Sequence, residues 1–310
     1  MTAPVLVLRA LGLGDALTGV PALRGLRRLA PDRPLLLAGP DRIGGWLADQ
    51  GIVDDVLPTT SLADRPPGRA LGSHLAVNLH GRGPESHHLL QRGQAADLLA
   101  FDCPAASYHS TTRWRPDEHE VDRWCRLVID AGGNCSAEDL RLPVPAAPAT
   151  GLVVVHPGAA APARRWPVDR WIAVARELHA DGLDLVVTGT ERDLCGAIAR
   201  AVPVCDASGS LPLEELVSLV AQAGLVLSTD TGIAHLATAT CTRSVTLFGP
   251  TPPAWWGPAI DAELHTVMYH GSSPGDPHAD RPDEALLRIT VPEVLTAARA
   301  QLSGTTPRSS

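Results

Sequence analysis

Short apolar segments alternate with longer segments of helical period along the sequence, and this alternation limits the possible folds most strongly. The candidate strands are residues 5–9, 34–38, 75–79, 151–156, 183–188, 225–228 and 244–248. The candidate helices are residues 15–29, 169–180, 213–223 and 233–239. Strands separated by helices of this length pair in parallel, because each helix returns the chain to the same end of the sheet. The sequence therefore predicts an α/β protein whose parallel sheets are covered by helices.

A proline-rich segment divides the chain near its middle. Residues 142–151 (LPVPAAPATG) hold three prolines, and we place a domain boundary between residues 147 and 148. The parts 1–147 and 148–302 each have the length of one doubly wound, Rossmann-like domain, and residues 303–310 are expected to be a disordered tail. Ligands of such domains bind at the carboxyl ends of strands, so we expect a ligand site there and in the cleft between the domains.

The composition excludes several classes of protein. With 45% apolar and 19% charged residues the chain is too apolar to be disordered, and its net charge of −8 removes the attraction that nonspecific nucleic-acid binding requires. The six cysteines form no C-x-x-C pair, which argues against a zinc site and indicates reduced thiols. The sequence shows neither signal-peptide features nor an apolar run of the roughly 18 residues that span a membrane. We expect a cytoplasmic protein that binds no nucleic acid.

The first strand is followed by the glycine-rich segment LGLGDAL, residues 11–17, which opens a helix. It resembles the G-x-G-x-x-G pattern of dinucleotide-binding proteins, but Leu17 stands at the third glycine position. An NAD-dependent enzyme is therefore the weaker interpretation. Asp15 remains at the carboxyl end of a strand, where it is the N-terminal cap of the helix, a catalytic group, or both.

The loop after the strand at residues 151–156 has the sequence HPGAAAPARRWP, residues 156–167. Its small residues let a ligand approach the backbone. Arg164 and Arg165 can each hold phosphate oxygens with a bidentate fork, so the loop predicts a diphosphate site. The alternative is a solvated arginine pair with Trp166 in the core.

A second loop of this domain, STDTGIAH at residues 228–235, also runs from a strand end into a helix. The backbone N–H groups of residues 231–233 would form an anion site that the helix dipole reinforces. The alternatives are that Asp230 only caps the helix and that His235 only packs against its neighbours.

Two weaker signals lie further along the second domain. Trp255 and Trp256 follow a segment too rich in proline to continue a helix, and they either stack on a sugar or belong to the core. Asp276, His278 and Asp280 are interpreted as a plain polar loop rather than a metal site.

Five segments together resemble glycosyltransferase family 9, the ADP-heptose heptosyltransferases of lipopolysaccharide core assembly. They are GLGDALTGVPALRGLR (12–27), VNLHGRGPESH (77–87), HPGAAAPARRWP (156–167), STDTGIAHLA (228–237) and LFGPTP (247–252). The resemblance runs over nearly the whole chain and implies the GT-B fold, two Rossmann-like domains that face a central cleft. It also implies an inverting transfer of a sugar, expected to be heptose, from an ADP-linked donor to an acceptor hydroxyl.

The resemblance also implies roles for individual residues. Asp15 would be the general base that takes the proton of the acceptor hydroxyl. Arg164 stands where the family usually has a lysine on the donor phosphates, so a planar fork replaces a point charge. The other residues expected at the donor are Arg165, Glu191 near the ribose, Leu211 near the adenine, Asp230, Thr231, Gly232 and His235. Because arginine and a helix N-terminus would stabilise the departing diphosphate, we expect neither a metal nor a cofactor.

The acceptor is expected to bind to the first domain, near Gly14, His80, Arg82, Glu85 and Arg113. The alternative is that about half of the charged residues here are plain solvated loop residues. Residues 1–150 contain 15 arginines and 17 acidic residues, which gives no broad basic surface for an anionic lipid A precursor. All 26 basic residues are arginine, a composition that looks actinobacterial, and such bacteria lack lipopolysaccharide. We therefore hypothesise an aminoglycoside or nucleoside antibiotic precursor, or a different envelope glycan, as the acceptor.

Two other functions fit the same fold. A sugar-nucleotide epimerase would convert the donor without any acceptor, and a catalytically silent protein would bind a nucleotide sugar without turnover. The presence of Asp15 argues modestly against a silent protein, and a turnover assay separates all three functions.

Overall fold

The computed structural model describes residues 2–144, 151–209 and 211–304. The chain forms two units, Met1–Leu140 and Arg141–Ser310. The boundary predicted between residues 147 and 148 falls within residues 145–150, and most of the predicted tail falls within residues 305–310. Both of these segments lie outside the described residues.

The first unit is a parallel sheet covered by helices. Its strands are β1 (Val5–Leu8), β2 (Leu35–Gly39), β3 (Asp55–Pro58), β4 (Leu75–Asn78) and β5 (Asp97–Leu99). Its helices are α1 (Leu13–Leu29), α2 (Asp41–Asp49), α3 (Glu85–Arg92) and α4 (Glu120–Asp130). The strands lie in the order β3-β2-β1-β4-β5, so β1 is central, and all four of its apolar residues are buried.

Helix α1 connects the centre of this sheet to its outer layer. It begins at Leu13, two residues before the predicted start, and its N-cap residue is Gly12. Its apolar residues recur every three positions, and Leu17, Val20 and Leu23 are at most 1% exposed. This spacing places them on one face of the helix, which is buried, and α1 packs against α4.

The second unit repeats the same architecture with one more strand. Its strands are β6 (Leu152–His156), β7 (Asp184–Val187), β8 (Cys205–Asp206), β9 (Leu225–Thr229), β10 (Ser244–Leu247) and β11 (His265–Met268). Its helices are α5 (Val168–Ala180), α6 (Arg192–Ala201), α7 (Leu213–Gln222), α8 (Gly232–Ala239), α9 (Pro253–Trp256), α10 (Glu284–Arg288) and α11 (Val291–Leu302). The strand order is β11-β10-β9-β6-β7-β8, and the strand pairs are parallel.

Two buried tryptophans pack together in the core of the second unit. Trp166 and Trp171 are each 1% exposed, and their rings meet edge to face with 5.1 Å between centroids. The indole N–H of Trp166 donates to the carbonyl of Ile289 at 3.1 Å, which satisfies its polar atom inside the core. Trp166 is therefore a core residue that anchors the end of the loop containing Arg164 and Arg165.

In both units the order in which successive strands are added to the sheet reverses once. In the first unit it runs from β1 outward to β3 and then continues at β4, on the other side of β1. In the second unit it runs from β6 outward to β8 and then continues at β9, on the other side of β6. The loops that leave adjacent strands at such a switch point diverge, and ligands bind in the crevice that they leave. The loops after β1, β4, β6 and β9 therefore hold most of the candidate site residues, while Glu191, Leu211 and Arg113 follow β7, β8 and β5.

Two findings concern the predictions drawn from composition. All six cysteines are free thiols, four of them buried. Across the part of the chain that the structure describes, no helix has both the length and the apolar character needed to cross a bilayer.

Candidate active site

Asp15 lies in the first turn of α1, close to the carboxyl end of β1. Because Gly12 is the N-cap residue of α1, the interpretation of Asp15 as the cap is wrong. The Asp15 side chain is 31% exposed, and its Oδ1 lies 3.9 Å from Nη2 of Arg9, whose side chain is 1% exposed. The guanidinium and the helix N-terminus both stabilise a negative charge at this position. Asp15 is therefore a partly exposed carboxylate that can accept a proton.

His80 is held against the end of β1 from the neighbouring strand β4. The backbone N–H of Ala10 donates to Nδ1 of His80 at 3.2 Å, which leaves the imidazole proton on Nε2. Burial lowers the pKa of His80 to about 4, and the charge of Arg9 contributes to that decrease. His80 is therefore neutral at pH 7 and can donate a hydrogen bond from Nε2.

The remaining residues predicted to bind the acceptor lie in the loops and helix starts around this switch point. Gly14 precedes Asp15 in the first turn of α1. Arg82 and Arg113 are exposed in the loops that follow β4 and β5, and Glu85 is the exposed first residue of α3. They are solvent-accessible charges at the carboxyl edge of the sheet, and their binding of an acceptor stays a prediction.

Arg164 joins the two loops at the switch point of the second unit. Its Nη1 donates to the carbonyl of Asp230 at 3.3 Å, across 66 residues of sequence. Its Nε is buried and has no hydrogen-bond partner within the described ranges. The interpretation of Arg164 as a solvated residue is therefore wrong, since the guanidinium is half-buried between the loops after β6 and β9.

Two buried hydroxyl groups lie at the end of β9, directly before Asp230. Ser228 and Thr229 are at most 1% exposed, and neither side-chain oxygen has a hydrogen-bond partner among the residues described. Unpartnered buried hydroxyls cost free energy unless a ligand or water satisfies them. The sequence contained both residues in the STDTGIAH segment, but their hydroxyls were not predicted as site groups.

Helix α8 begins directly after these hydroxyls. Thr231 is its N-cap residue, so the interpretation of Asp230 as the cap is wrong, and Asp230 is instead 6% exposed at the end of β9. The first turn of α8 contains Gly232 and no acidic residue. Its first N–H groups have no carbonyl partner within the helix and carry the positive end of the dipole. This segment has the geometry of an anion site.

Glu191 forms an ion pair with Arg165, which lies in the loop after β6. Arg165 Nη2 lies 3.4 Å from Glu191 Oε1, and Arg165 Nε donates to the carbonyl of Ala159 at 2.8 Å. A Cβ atom on Gly158 would lie 2.0 Å from Glu191 Oε2, so the carboxylate rests directly on the backbone of this glycine. Arg165 is therefore committed to protein partners, unlike the Nε of Arg164.

His156 ends β6 in the same region. Its Nδ1 lies 3.0 Å from the hydroxyl oxygen of Thr188. Burial lowers the pKa of His156 to about 4, although the charge of Glu191 acts in the opposite direction. His156 is neutral at pH 7, so the positive charge at this switch point comes from arginine and the α8 dipole.

Leu211 and His235 are the two remaining residues that the sequence predicted at the donor. Leu211 is half-buried, two residues before α7. The ring of His235 in α8 meets the half-buried Trp256 edge to face, with 5.8 Å between centroids.

Trp255 and Trp256 lie in the one-turn helix α9, so the prediction of a non-helical loop is wrong. Pro253 takes the first helical position, where its missing N–H costs nothing.

The described residues contain no group of three or more His, Cys, Asp or Glu side chains arranged to hold a metal ion. Asp276 and His278 instead form a local turn, in which the His278 N–H donates to Asp276 Oδ1 at 2.9 Å.

Comparison with known proteins gives one family. Residues 107–274 match the sequence model of Glycosyltransferase family 9 (heptosyltransferase), which is more than half of the chain. The chain is 28% identical over 165 residues to lipopolysaccharide heptosyltransferase 2 of Salmonella typhimurium, covering 49% of this chain and 47% of that protein. It is 31% identical over 113 residues to lipopolysaccharide heptosyltransferase 3 of Escherichia coli, covering 34% and 33%. The matches thus span about half the length of these curated relatives, or less.

Solved structures resemble the chain over nearly its whole length. A glycosyl transferase family 9 protein from Veillonella parvula superposes with a TM-score of 0.78 at 19% identity, covering 98% of this chain and 99% of that one. The ADP-heptose lipopolysaccharide heptosyltransferase II of E. coli superposes with a TM-score of 0.77 at 20% identity, covering 97% and 98%. These likenesses establish the fold, and the predicted pair of Rossmann-like domains is confirmed.

Proposed function

The chain belongs to glycosyltransferase family 9, and from this premise we propose that it is an inverting glycosyltransferase that moves a sugar from a nucleotide-linked donor to an acceptor hydroxyl. The observation that carries the proposal is the chemistry of the two switch points. A partly exposed carboxylate, Asp15, lies at one of them. A half-buried arginine, two buried hydroxyls without a partner in the described part of the chain, and a helix N-terminus lie at the other. Sugar transfer needs both a proton acceptor and a site for a leaving diphosphate.

The reaction follows from these groups. The acceptor oxygen attacks the anomeric carbon opposite the diphosphate, so one carbon–oxygen bond forms as the other breaks, and the configuration inverts. The acceptor proton passes to Asp15, and the electron pair of the broken bond goes to the diphosphate oxygen. Arg164 and the N–H groups at the start of α8 stabilise the charge that grows there. This assignment calls for neither a metal nor a cofactor.

We propose an ADP-linked heptose as the donor. The named activity of the relatives supports heptose. Glu191 rests on the backbone of Gly158, where a ribose hydroxyl can donate to its carboxylate, and Leu211 offers an apolar surface before α7 for the base. The free thiols agree with the reducing cytoplasm, which we propose as the location.

We propose a neutral or cationic acceptor, such as an aminoglycoside or nucleoside antibiotic precursor, or an envelope glycan other than lipopolysaccharide. Residues 1–150 carry 15 arginines against 17 acidic residues, so this part of the chain provides no excess of positive charge for an anionic lipid. The exposed Glu85 suits a cationic group on such an acceptor.

The test is a turnover assay with ADP-heptose and a panel of acceptors in the presence of EDTA, read by mass spectrometry and by NMR spectroscopy of the products, since NMR distinguishes anomers and epimers of equal mass. We expect release of ADP together with a glycosylated acceptor of inverted configuration, and undiminished turnover in EDTA. Conversion of the donor without any acceptor would show an epimerase, and tight donor binding without turnover on any acceptor would show a silent protein. Turnover with a lipid A precursor alone would overturn the acceptor class.

A further inference from the structure

Arg9 directly follows β1, and its charged side chain is 1% exposed. Its Nε donates to the backbone carbonyl of Asp15, and its Nη1 donates to the carbonyl of Leu79. Its Nη2 donates to the hydroxyl of Thr18 at 2.9 Å and to Glu120 Oε1 at 3.2 Å. One guanidinium therefore joins the first turn of α1, the end of β4 and the start of α4. No sequence pattern beyond a single arginine after an apolar strand indicated this role.

The buried charges around Arg9 are balanced only when Asp15 is counted. Glu120 is the carboxylate shared by Arg9 and Arg123, and all three side chains are at most 7% exposed. Two positive charges thus share one buried negative charge. The carboxylate of Asp15, 3.9 Å from Arg9, supplies the second negative charge and is the member of the group with 31% exposure. An ionised Asp15 completes the balance, and it does so from the side open to solvent.

Helix α1 leaves space for this guanidinium. A Cβ atom on Gly19 would lie 2.8 Å from both Cδ and Nε of Arg9. Glycine in a helix interior lowers helix stability relative to alanine, so its presence here is unfavourable for the helix alone. The guanidinium cannot move aside freely, because its hydrogen bonds hold it from three elements and the ring of Trp124 lies 5.0 Å from its carbon.

We propose that Arg9 is a positioning residue that fixes the first turn of α1, and so holds the carboxylate of Asp15 in one orientation toward the acceptor hydroxyl. This inference rests on the proposed role of Asp15 as the general base. Arg9 is buried beneath Asp15 and acts through it, by hydrogen bonding to the backbone that carries the base. Positioning of this kind matters because a displacement of about 1 Å can lower a rate by about 100-fold.

Two variants disturb Arg9 in different ways. Arg9→Lys keeps the positive charge but replaces the planar fork with one ammonium group, which cannot reach acceptors on three elements at once. Gly19→Ala keeps every charge and pushes a methyl group against Arg9. The matched control is Gly45→Ala in α2, where an added Cβ meets no atom within 4 Å. All three proteins are compared with the wild type at full length.

The readouts are kcat and KM for the sugar donor, and hydrogen–deuterium exchange of residues 12–18. For Arg9→Lys and Gly19→Ala we expect kcat to fall at least about tenfold, with the donor KM within twofold of wild type, because the donor binds elsewhere. Amides of residues 12–18 should exchange faster in both variants and normally in Gly45→Ala. An anchor of the fold alone would lower the melting temperature and leave kcat unchanged.

Either variant, folded and with kcat within twofold of wild type, would overturn the inference. Normal exchange of residues 12–18 in both variants would also overturn it, whatever the turnover. If the wild-type protein transfers no sugar, the proposed function fails instead. The exchange data then decide by themselves whether Arg9 fixes this turn, so the two failures are distinguishable.

Discussion

The switch points of the two units occupy the same topological position and carry opposite chemistry. At the β1–β4 switch point a carboxylate, Asp15, projects above a buried arginine. At the β6–β9 switch point an arginine, Arg164, donates to the carbonyl of Asp230, which directly follows the buried hydroxyls of Ser228 and Thr229. The fold thus determines where a ligand can bind, whereas the residues just after the strands determine whether that place accepts a proton or an anion.

The two helices that start at these switch points show the physical reason. Both present the positive end of a helix dipole. The first turn of α1 contains an acidic residue, Asp15, whose negative charge interacts favourably with the positive end of the dipole. The first turn of α8 contains Gly232 and no acid, so its N–H groups remain suited to an external phosphate. The presence or absence of an acidic residue in the first turn therefore decides whether the helix start offers a proton acceptor or an anion site.

The substitution with the largest expected effect on this contrast is Asp15→Asn, which keeps the shape of the side chain and removes the base. General base catalysis is worth about 10²–10⁴-fold, so we expect kcat to fall by at least about 100-fold. The donor KM should remain close to that of the wild type. The melting temperature should fall slightly, because the variant loses the Asp15 charge that balances Arg9, and solvent screens that charge in the wild type. Steady-state kinetics and thermal unfolding measure both, and near-normal turnover would remove Asp15 from the mechanism.

Arg164→Ala tests the other switch point. A hydrogen bond to a charged group is worth about 1.5–3 kcal/mol, so we expect the Kd for ADP to rise roughly 10- to 100-fold. Arg164→Lys, which restores the charge without the fork, should recover part of this loss. The neighbouring Arg165→Ala is the matched control, because Arg165 already pairs with Glu191. Isothermal titration calorimetry with ADP gives all four affinities, and an equal loss in both alanine variants would contradict the assignment.

His265 lies at the opposite, amino-terminal edge of the second sheet and tests whether that edge serves stability alone. Burial lowers the pKa of His265 to about 4, while the unfolded chain titrates near 6.5. The unfolded state therefore binds more protons below pH 6.5, and the free energy of unfolding falls as the pH falls. Between pH 7.5 and pH 5 this histidine should contribute about 2 kcal/mol of that decrease.

His265→Gln should reduce the pH dependence of unfolding by that amount and leave kcat at pH 7.5 unchanged. Urea unfolding at pH 7.5 and pH 5 measures the difference. His80 and His156, whose pKa values are also lowered to about 4, keep their own contributions in this variant. An unchanged slope would show that His265 titrates in the folded protein as it does in the unfolded chain.

Glu191→Gln is expected to have the smallest effect of the four changes. The amide keeps a hydrogen-bond acceptor but loses the charge, so we expect the Kd for ADP to rise by about fivefold, or about 1 kcal/mol. If the carboxylate contacts the ribose, the difference between wild type and variant should vanish with 2′,3′-dideoxy-ADP. A difference that persists with the dideoxy nucleotide would place Glu191 away from the ribose.

The sequence predicted the sheets and the site loops because their signals are local. The central strands, such as β1 and β9, are continuous apolar runs, and their bounds agree with prediction to within about one residue. The four edge strands, β3, β5, β8 and β11, were not predicted, since they have two to four residues and most of those residues are exposed or half-buried. Edge strands of this kind have no apolar run from which to recognise them.

Contacts across the sheets could not be predicted from local patterns. The hydrogen bond from Arg164 to the Asp230 carbonyl spans 66 residues, and the one from Arg9 to Glu120 spans 111. A buried arginine looks the same in sequence as a solvated one, so Arg9 was not predicted as a site residue and Arg164 had two interpretations. The parallel pairing of β6 with β9 brings Arg164 to Asp230. The packing of α4 against α1 brings Glu120 to Arg9.

The most direct test of the central contrast is one calorimetric experiment: ADP titrated into the wild type, Asp15→Asn and Arg164→Ala, with turnover measured on the same samples. We expect Asp15→Asn to bind ADP with wild-type affinity while losing turnover, and Arg164→Ala to bind ADP at least about tenfold more weakly. Equal weakening of ADP binding in both variants would contradict the account, because the base and the anion site would then not be separate.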